Sequence, residues 1–219
     1  PKEIKSIINK SKIKELKYNR KKINTNNEIT INPGHRKEVI DRLEGARIVK
    51  AWKLPPAKEN ILILGAEIAA TILCEGKNSI IVKKLREEKR IIESIDIDLQ
   101  ILEQGGLILL DVCCTSENVT IAESEINRIL FESTKKLFTN KDLDRAKKLV
   151  KNNIYFGLEL SSQVASTLGN QALWGRNPSL SQSIKDISYW TTKRLKESIF
   201  PLFNPVNAFT LIAEPENQS

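Results

Sequence analysis

The chain has 219 residues, of which 40% are hydrophobic and 28% are charged, and its formal net charge is +8. This composition excludes an intrinsically disordered chain, and the length suffices to bury a core without disulfide or metal support. No apolar run approaches the ~20 residues that cross a bilayer, so neither a membrane segment nor a membrane partner is predicted. Because the chain begins at Pro1 and contains no Met, we expect a fragment or a processed form.

Basic residues are concentrated at the N-terminus, where nine Lys and Arg fall within residues 2–22. Residues 1–24 are predicted to form a basic helix and a connection that belong to the same domain as residues 25–219. A nucleic-acid-binding domain is a minor alternative, because binding to single strands needs aromatic side chains among the basic ones and only Tyr18 is available there. We therefore interpret the charge as a solvated helix face, and nucleic acid is not an expected partner.

The first half of the chain predicts two strands and a helix. A short strand is expected around Glu28–Ile31, before a turn at Asn32–Gly34. Ala46–Leu54 is predicted to be a strand that the following two prolines terminate. Asn60–Leu73 has apolar residues at helical spacing with Gly and Ala between them, so this helix is expected to approach a sheet closely.

The remainder predicts a hairpin followed by helices. Polar and apolar residues alternate over Ser94–Gln100, and a turn at Gln104–Gly106 leads to a more buried strand over Leu107–Cys113. The later predicted elements are helices over Ala122–Leu137, Leu143–Leu158, Ser181–Ile187 and Thr192–Phe200 and a strand over Ala208–Ala213. Because elements come in groups rather than in βαβ alternation, the predicted class is α+β, an antiparallel sheet with helices packed on one face.

The segment from Gly76 to Ser94, GKNSIIVKKLREEKRIIES, predicts a loop, a helix and the start of a strand. It resembles the non-metal-binding domain of the pitrilysin and insulinase family of zinc peptidases, which also includes the mitochondrial processing peptidases. The typical run of that family is G-x-x-S-R-L-x-x-x-L-R-E-E-x-x-L-x-Y. The residues in register with it are Gly76, Ser79, Leu85, Arg86, Glu87 and Glu88, while Glu93 occupies the Tyr position.

The resemblance extends over nearly the whole chain. Further matches follow in family order at Trp52, Pro55, Gly106, Leu107, Thr139, Leu143, Ala146, Lys147, Leu168, Gly169, Gly175, Ile187 and Phe203–Asn207. Their ordered spacing, rather than any single match, carries the resemblance.

In this family each half-molecule comprises two similar α+β domains, the first of which binds zinc through an H-x-x-E-H motif. The resemblance implies that this chain is the second domain, inactive alone, with the zinc held by a partner domain or subunit. It would wall a chamber that encloses a peptide or unfolded protein substrate, in a dimer-like pairing with the zinc-bearing partner. The alternative is a structural subunit of the same fold without peptidase function, like the core proteins of respiratory complexes.

Arg86 and Glu93 are the candidate substrate-binding residues, since the family Arg and Tyr at these positions contact the bound peptide and support the transition state. Arg86 is interpreted either as a surface arginine paired with Glu87, Glu93 or a neighbouring carboxylate, or as an oxyanion contact through its fork of donors. Glu93 weakens the second interpretation, because an ionised carboxylate only accepts hydrogen bonds. By strand parity, Glu93 is expected to share a face with Ile95 and Ile97.

No catalytic residue and no metal site are expected within this chain. His35 is the sole His, and Val39 stands where an H-x-x-E-H motif needs the second one. His35 is also expected in a loop after the turn rather than inside a helix. Asp96 and Asp98 are interpreted as solvated carboxylates of a strand surface.

The three cysteines are expected to be reduced thiols. Cys74, Cys113 and Cys114 form an odd count, and the adjacent pair points to opposite faces of a strand. No C-x-x-C spacing occurs, which argues against zinc. These features favour a cytoplasm-like compartment.

Overall fold

A single five-stranded sheet forms the centre of the part of the chain that the structure describes. The computed structural model describes residues 6–7, 9–11, 29–135, 138–174 and 182–216. Within these ranges the spatial order of the strands is β1-β5-β2-β4-β3. The strands are β1 (Gly34–Ile40), β2 (Ala46–Leu54), β3 (Ser94–Ile101), β4 (Gly106–Cys114) and β5 (Phe209–Pro215).

The helices lie in the β2–β3 and β4–β5 connections. The α-helices are α1 (Asn60–Cys74), α2 (Val119–Ser133), α3 (Asn140–Gly157), α4 (Ser161–Leu173), α5 (Gln182–Asp186) and α6 (Thr192–Ser198), and Val82–Glu88 is a π-helix. Short 3₁₀ turns cover Ser116–Asn118, Ile187–Tyr189, Phe200–Phe203 and Pro205–Asn207. None of the described helices combines the length and apolarity required for a membrane span.

The predicted α+β class is confirmed, with one departure at the sheet edge. Strand β2 pairs antiparallel with both β4 and β5, and β3 pairs antiparallel with β4 across the predicted hairpin. Strand β1, however, runs parallel to β5. A parallel pair requires a long crossover, and here the connection between β1 and β5 contains helices α1 to α6.

One face of the sheet is covered and the other is open. Every second residue of β2 and β4 is buried, as predicted for strands with one face in the core. The side chains on the covered face are Ala46, Ile48, Lys50, Trp52, Leu54, Ile108, Leu110, Val112 and Cys114. Buried residues of α1, α2 and α3 complete the same hydrophobic cluster, so the helices pack on one face as predicted.

The small residues of α1 allow close contact with its neighbours. Gly65, Ala66 and Ala69 are all buried on this helix. A Cβ atom at Gly65 would lie 2.7 Å from Cε2 of Trp190 and 2.8 Å from Cδ1 of Ile199, closer than van der Waals contact permits. Trp190 can therefore pack directly on the helix backbone only because residue 65 is glycine.

Two predictions of local structure were wrong. Residues 29–33 contain no regular element, and the strand expected around Glu28–Ile31 lies instead at Gly34–Ile40, beyond the expected turn. Most of its residues are exposed, so no alternation of apolar side chains marks it. Helix α4 was not predicted, because its few apolar residues lie among small and uncharged polar ones and none of its residues is buried.

Several predicted segments lie outside the described residues. These are most of the basic helix in residues 1–24, position 137 at the end of one predicted helix, and Gly175. The other helices and strands lie within a few residues of their predicted bounds. At the start of α3, Thr139 and Asp142 form a reciprocal capping box, which fixes the first turn of that helix.

Two glycine variants test the packing of α1. Gly65→Ala should lower the free energy of unfolding by about 1–3 kcal/mol, because the added methyl group displaces Trp190. Gly169→Ala in α4 has no neighbour within 4 Å and should raise stability by about 0.5–1 kcal/mol through helix propensity. Urea unfolding of both variants measures the difference. Equal stability of the two variants would contradict the close approach at Gly65.

Candidate functional site

The segment that carries the family motif begins with a tight turn. Gly76 has φ +80°, in the left-handed region that favours glycine. The buried Ser79 donates its hydroxyl to the Gly76 carbonyl oxygen at 2.7 Å. The Gly and Ser of the motif therefore build the turn that leads the chain into the next helix.

The helix of this motif is a π-helix, which is held by one buried side chain and by an ion pair just after its last residue. Leu85 is fully buried beneath it. Beyond its end, Lys89 pairs with Glu125 of α2 at 2.8 Å, and hydrogen bonds from Lys89 and Arg128 lower the pKa of Glu125 to about 2. π-Helices are rare and often occur at functional sites.

Arg86 lies half-exposed on this π-helix. Its Nε and Nη2 atoms donate to Oε1 of Glu87 at 3.0 and 2.8 Å. Both side chains are more than one third exposed, so an ion pair of this kind contributes about 0–1 kcal/mol. A weak pair of this kind leaves the guanidinium able to exchange Glu87 for another acceptor.

Glu93 lies on the open side of the sheet. The Sγ atom of Cys113 donates to its Oε2 atom at 3.5 Å, and burial together with Glu93 raises the pKa of that thiol. Cys113 is the register partner of Ser94, whereas Ile95 pairs with the buried Val112. The prediction that Glu93 shares the face of Ile95 was therefore wrong, because the residue precedes β3 and is exposed.

More acidic groups continue along the open face. Asp96 of β3 lies opposite Asp111 of β4, and Nη1 of Arg47 donates to Oδ2 of Asp111 at 2.6 Å. The other oxygen of Asp111 is buried and accepts no hydrogen bond from the described residues. The open face near Glu93 thus carries three carboxylates and a guanidinium.

An acidic cavity of about 540 Å³ lies at the edge of the sheet, between β3 and α1. Its lining includes the carboxylates Glu67, Glu75, Asp96 and Asp98, together with Asn153 of α3. Asp96 and Asp98, which we interpreted as solvated strand residues, therefore line a concave site. Sequence alone missed this site because Glu67 of α1 and Glu75 at its C-terminal cap belong to a different element from β3, and no local pattern shows that the two elements face each other.

The charges in this cavity are poorly neutralised. Glu75 accepts hydrogen bonds from the hydroxyl of Thr71 at 2.9 Å and from the amide of Asn153 at 3.5 Å. Arg145 donates to the backbone carbonyls of Glu75 and Thr71, not to their side chains. Burial and the nearby charge of Glu75 raise the pKa of Glu67 to about 7. The cavity is suited to a cationic group, which would relieve this repulsion.

A cationic peptide side chain fits this chemistry better than a metal ion does. Among the described ranges, no group of three or more His, Cys, Asp or Glu could hold a metal ion. The cavity also adjoins β3, which is an edge strand. Edge strands present unpaired backbone groups to an extended chain. The motif turn at Gly76 lines the same cavity, so the motif and the acidic site are contiguous.

His35 lies in β1 and not in the expected loop. Its Nε2 atom is 3.3 Å from Oε2 of Glu123 in α2, whose other oxygen accepts from Nζ of Lys50 at 3.0 Å. Lys50 also donates to the hydroxyl of Thr210 at 2.8 Å. Burial lowers the pKa of Lys50; burial opposes a low pKa for Glu123, but its bonds to Lys50 and His35 hold that pKa below the usual range. This network joins β1, β2, β5 and α2.

Replacing Glu123 tests the network. Glu123→Ala leaves the Lys50 ammonium buried without its counter-ion and should lower the free energy of unfolding by about 3 kcal/mol. Adding Lys50→Met should restore most of this loss, because the unpaired charge is removed. The exposed Glu117→Ala serves as the control and should change stability by less than about 0.5 kcal/mol. Failure of Lys50→Met to rescue would contradict a buried charge at this position.

Glu67 makes stability depend on pH. Because its folded pKa of about 7 lies above the usual 4.5, the folded state holds this proton more tightly, and stability falls as pH rises between these values. Glu67→Gln should remove that fall and be more stable than the parent at pH 8, by up to about 3 kcal/mol. Urea unfolding at pH 5 and pH 8 measures the change in the free energy of unfolding, and Glu103→Gln, at an exposed position, serves as the control. If the free energy of unfolding of Glu67→Gln changed between pH 5 and pH 8 as much as that of the parent, the raised pKa would not belong to Glu67.

Comparisons with solved structures place this architecture among known proteins. A protease from Helicobacter pylori matches with a TM-score of 0.75 and 19% identity, over 83% of this chain and 44% of the other. The peptidase M16 inactive domain from Pseudomonas fluorescens matches with a TM-score of 0.70 and 15% identity, over 87% of this chain and 45% of the other. A chain of complex III2 from Candida albicans matches with a TM-score of 0.65 and 16% identity, over 83% and 45%. The chain thus spans less than half the length of these proteins.

The sequence match identifies the family. No curated protein sequence matches the chain. The family model described as the peptidase M16 inactive domain matches residues 1–150, which is more than half of the 219 residues. The predicted resemblance to the non-metal-binding domain is therefore confirmed, and the chain belongs to the peptidase M16 family as an inactive domain.

Proposed function

We propose that this chain is the non-catalytic domain of an M16-type zinc peptidase, which walls the peptide-binding chamber and pairs with a zinc-bearing domain or subunit. Its membership among the inactive domains supports this role. So does its length, since it spans 44% and 45% of two related chains and leaves room in each for a second portion of similar size. The zinc of the assembly would lie in the partner and would activate the water that attacks the peptide bond.

The open face of the sheet is the observation that carries this proposal. Because the helices cover only one face, the other presents Glu93, Asp96 and Asp111 to whatever lies opposite. The acidic cavity at the β3 edge extends this surface and is suited to Lys or Arg side chains of a peptide. A chamber wall of this kind would hold an extended, basic substrate close to the catalytic half.

Arg86 and Glu93 are the proposed substrate contacts. The Arg86 guanidinium can donate to a peptide carbonyl or to the oxyanion that forms on it, once it exchanges Glu87 for that acceptor. Glu93 cannot donate to an oxyanion and instead attracts a cationic side chain. The three described cysteines are free thiols, which agrees with the proposed cytoplasm-like location.

A structural subunit without peptidase function is the second candidate. The structural similarity to a chain in the complex III2 structure from Candida albicans supports this candidate. The replacement of the family Tyr by Glu93 favours the same role. The two candidates differ in whether Arg86 affects turnover.

Removal of Arg86 tests whether the domain serves a peptidase. Arg86→Ala, in the enzyme reconstituted with its zinc-bearing partner, should lower turnover by ~10²-fold, the scale for loss of one transition-state donor. Lys83→Ala on the same π-helix removes an exposed cation and should have little effect. Initial rates on a peptide substrate measure both variants. Equal rates for Arg86→Ala and the parent would favour the structural subunit.

The Tyr position provides a further test of substrate preference. Glu93→Tyr should leave folding intact, because the side chain is exposed. It should raise turnover or reduce the preference for basic peptides, since it replaces an acceptor with a donor. Rates on paired basic and neutral peptides measure the preference. An unchanged ratio between the two peptides would argue against contact of Glu93 with substrate.

A further inference from the structure

Helix α4 is largely exposed and carries no charge. None of its 13 residues is buried. Its sequence, SSQVASTLGNQAL, contains no charged side chain, although 28% of the whole chain is charged. Solvent-facing helices of globular proteins normally carry charged and polar residues on the outer face. Helix α4 is therefore polar without being charged, and its exposed surface carries no ionic group.

Apolar side chains are exposed along the same stretch. Five of the large hydrophobic residues that are exposed in the described part of the chain fall within residues 155–173, with exposed fractions from 45% to 74%. They are Tyr155, Phe156, Leu160, Leu168 and Leu173. The centres of interfaces are likewise depleted of charged residues and enriched in aromatic ones such as Tyr155 and Phe156.

The packing of α4 on its own domain is loose. A cavity of about 400 Å³ lies between it and helices α1 and α3, with Thr167 and Gln171 of α4 in its lining. Leu160, at the N-cap position, makes no side-chain capping bond. Isolated helices shorter than about 12–15 residues are marginal in water and depend on tertiary packing. The tertiary packing that α4 lacks is therefore expected from a surface outside the described part of this chain.

We propose that α4 is the docking surface for the zinc-bearing half of the peptidase, with Leu168 in the contact. This inference rests on the proposed function. The matching surface of the partner must be uncharged, because α4 offers no counter-ion for a buried charge. It must also form hydrogen bonds with the Ser, Thr, Asn and Gln side chains of α4 that it covers. In related chains of about twice this length, a second portion is tethered to the domain, and the tether favours that occupant over a second copy by effective concentration.

Two arginine substitutions, one on α4 and one away from it, test the surface. Leu168→Arg should weaken binding of the separately purified zinc-bearing half of the parent peptidase by roughly 100-fold or more, since it buries an unpaired charge. Thr120→Arg, at an exposed position of α2, adds the same charge outside the proposed surface and should change the dissociation constant by less than about threefold. Both residues are exposed, so circular dichroism and urea unfolding of the free chains should stay unchanged. Sedimentation velocity measures complex formation.

The outcomes separate this inference from the proposed function. If the parent chain binds the zinc-bearing half and Leu168→Arg binds equally well, the docking surface is wrong and the proposed function stands. If the parent chain does not bind that half, both fail. Loss of self-association alone in Leu168→Arg would assign α4 to a contact between copies and overturn the proposal.

Hydrogen exchange provides a second readout. Amides of α4 should exchange rapidly in the isolated chain and slowly in the complex, because a helix without packing opens easily. Equal protection in both states would mean that another part of this chain already covers α4. That result would also overturn the proposal.

Discussion

The burial of a single sheet face is the constraint on which the rest of this structure depends. Trp52 and Ile48 of the central strand require a helical layer, and a fully buried side chain of this size contributes about 1.5–3 kcal/mol. Within this layer, Trp190 packs directly on the backbone of helix α1 because Gly65 has no side chain. The exception on this face is Lys50, which is tolerated there because Glu123 and Thr210 satisfy its ammonium.

One-sided burial also determines where polar chemistry can collect. Because helices α1, α2 and α3 pack on the covered face, the opposite face stays open, and its carboxylates need no partner from the core. At the β3 edge, Glu67 of α1 and Glu75 at its C-terminal cap line the same cavity as Asp96 and Asp98 of the strand. Burial and the charge of Glu75 raise the pKa of Glu67, so ionisation of this side chain costs stability. Perturbed carboxyl groups in a cleft are more typical of binding sites than of structural networks.

Some residues of the motif segment have a clear structural role, whereas others are exposed and have none. Gly76, Ser79 and Leu85 are explained by a left-handed turn, a hydroxyl bond to that turn and a buried contact. Arg86 and Glu93 have no such structural reason, because one forms a weak surface pair and the other is exposed. They are therefore the positions at which a functional constraint can be tested without disturbing the fold.

Periodicity and turn residues in the sequence were sufficient for the local elements: β2, the β3–β4 hairpin, α1 and α3 depend on apolar spacing that a single segment contains. The motif residues likewise sufficed for the family, which the inactive-domain match confirms. Only the tertiary structure decided the parallel pairing of β1 with β5, the partner of Lys50, the acidic cavity and the exposure of α4. The first three of these features join residues from different elements of the chain. The exposure of α4 depends on which surfaces the rest of the chain leaves uncovered. No local sequence pattern contains either kind of information.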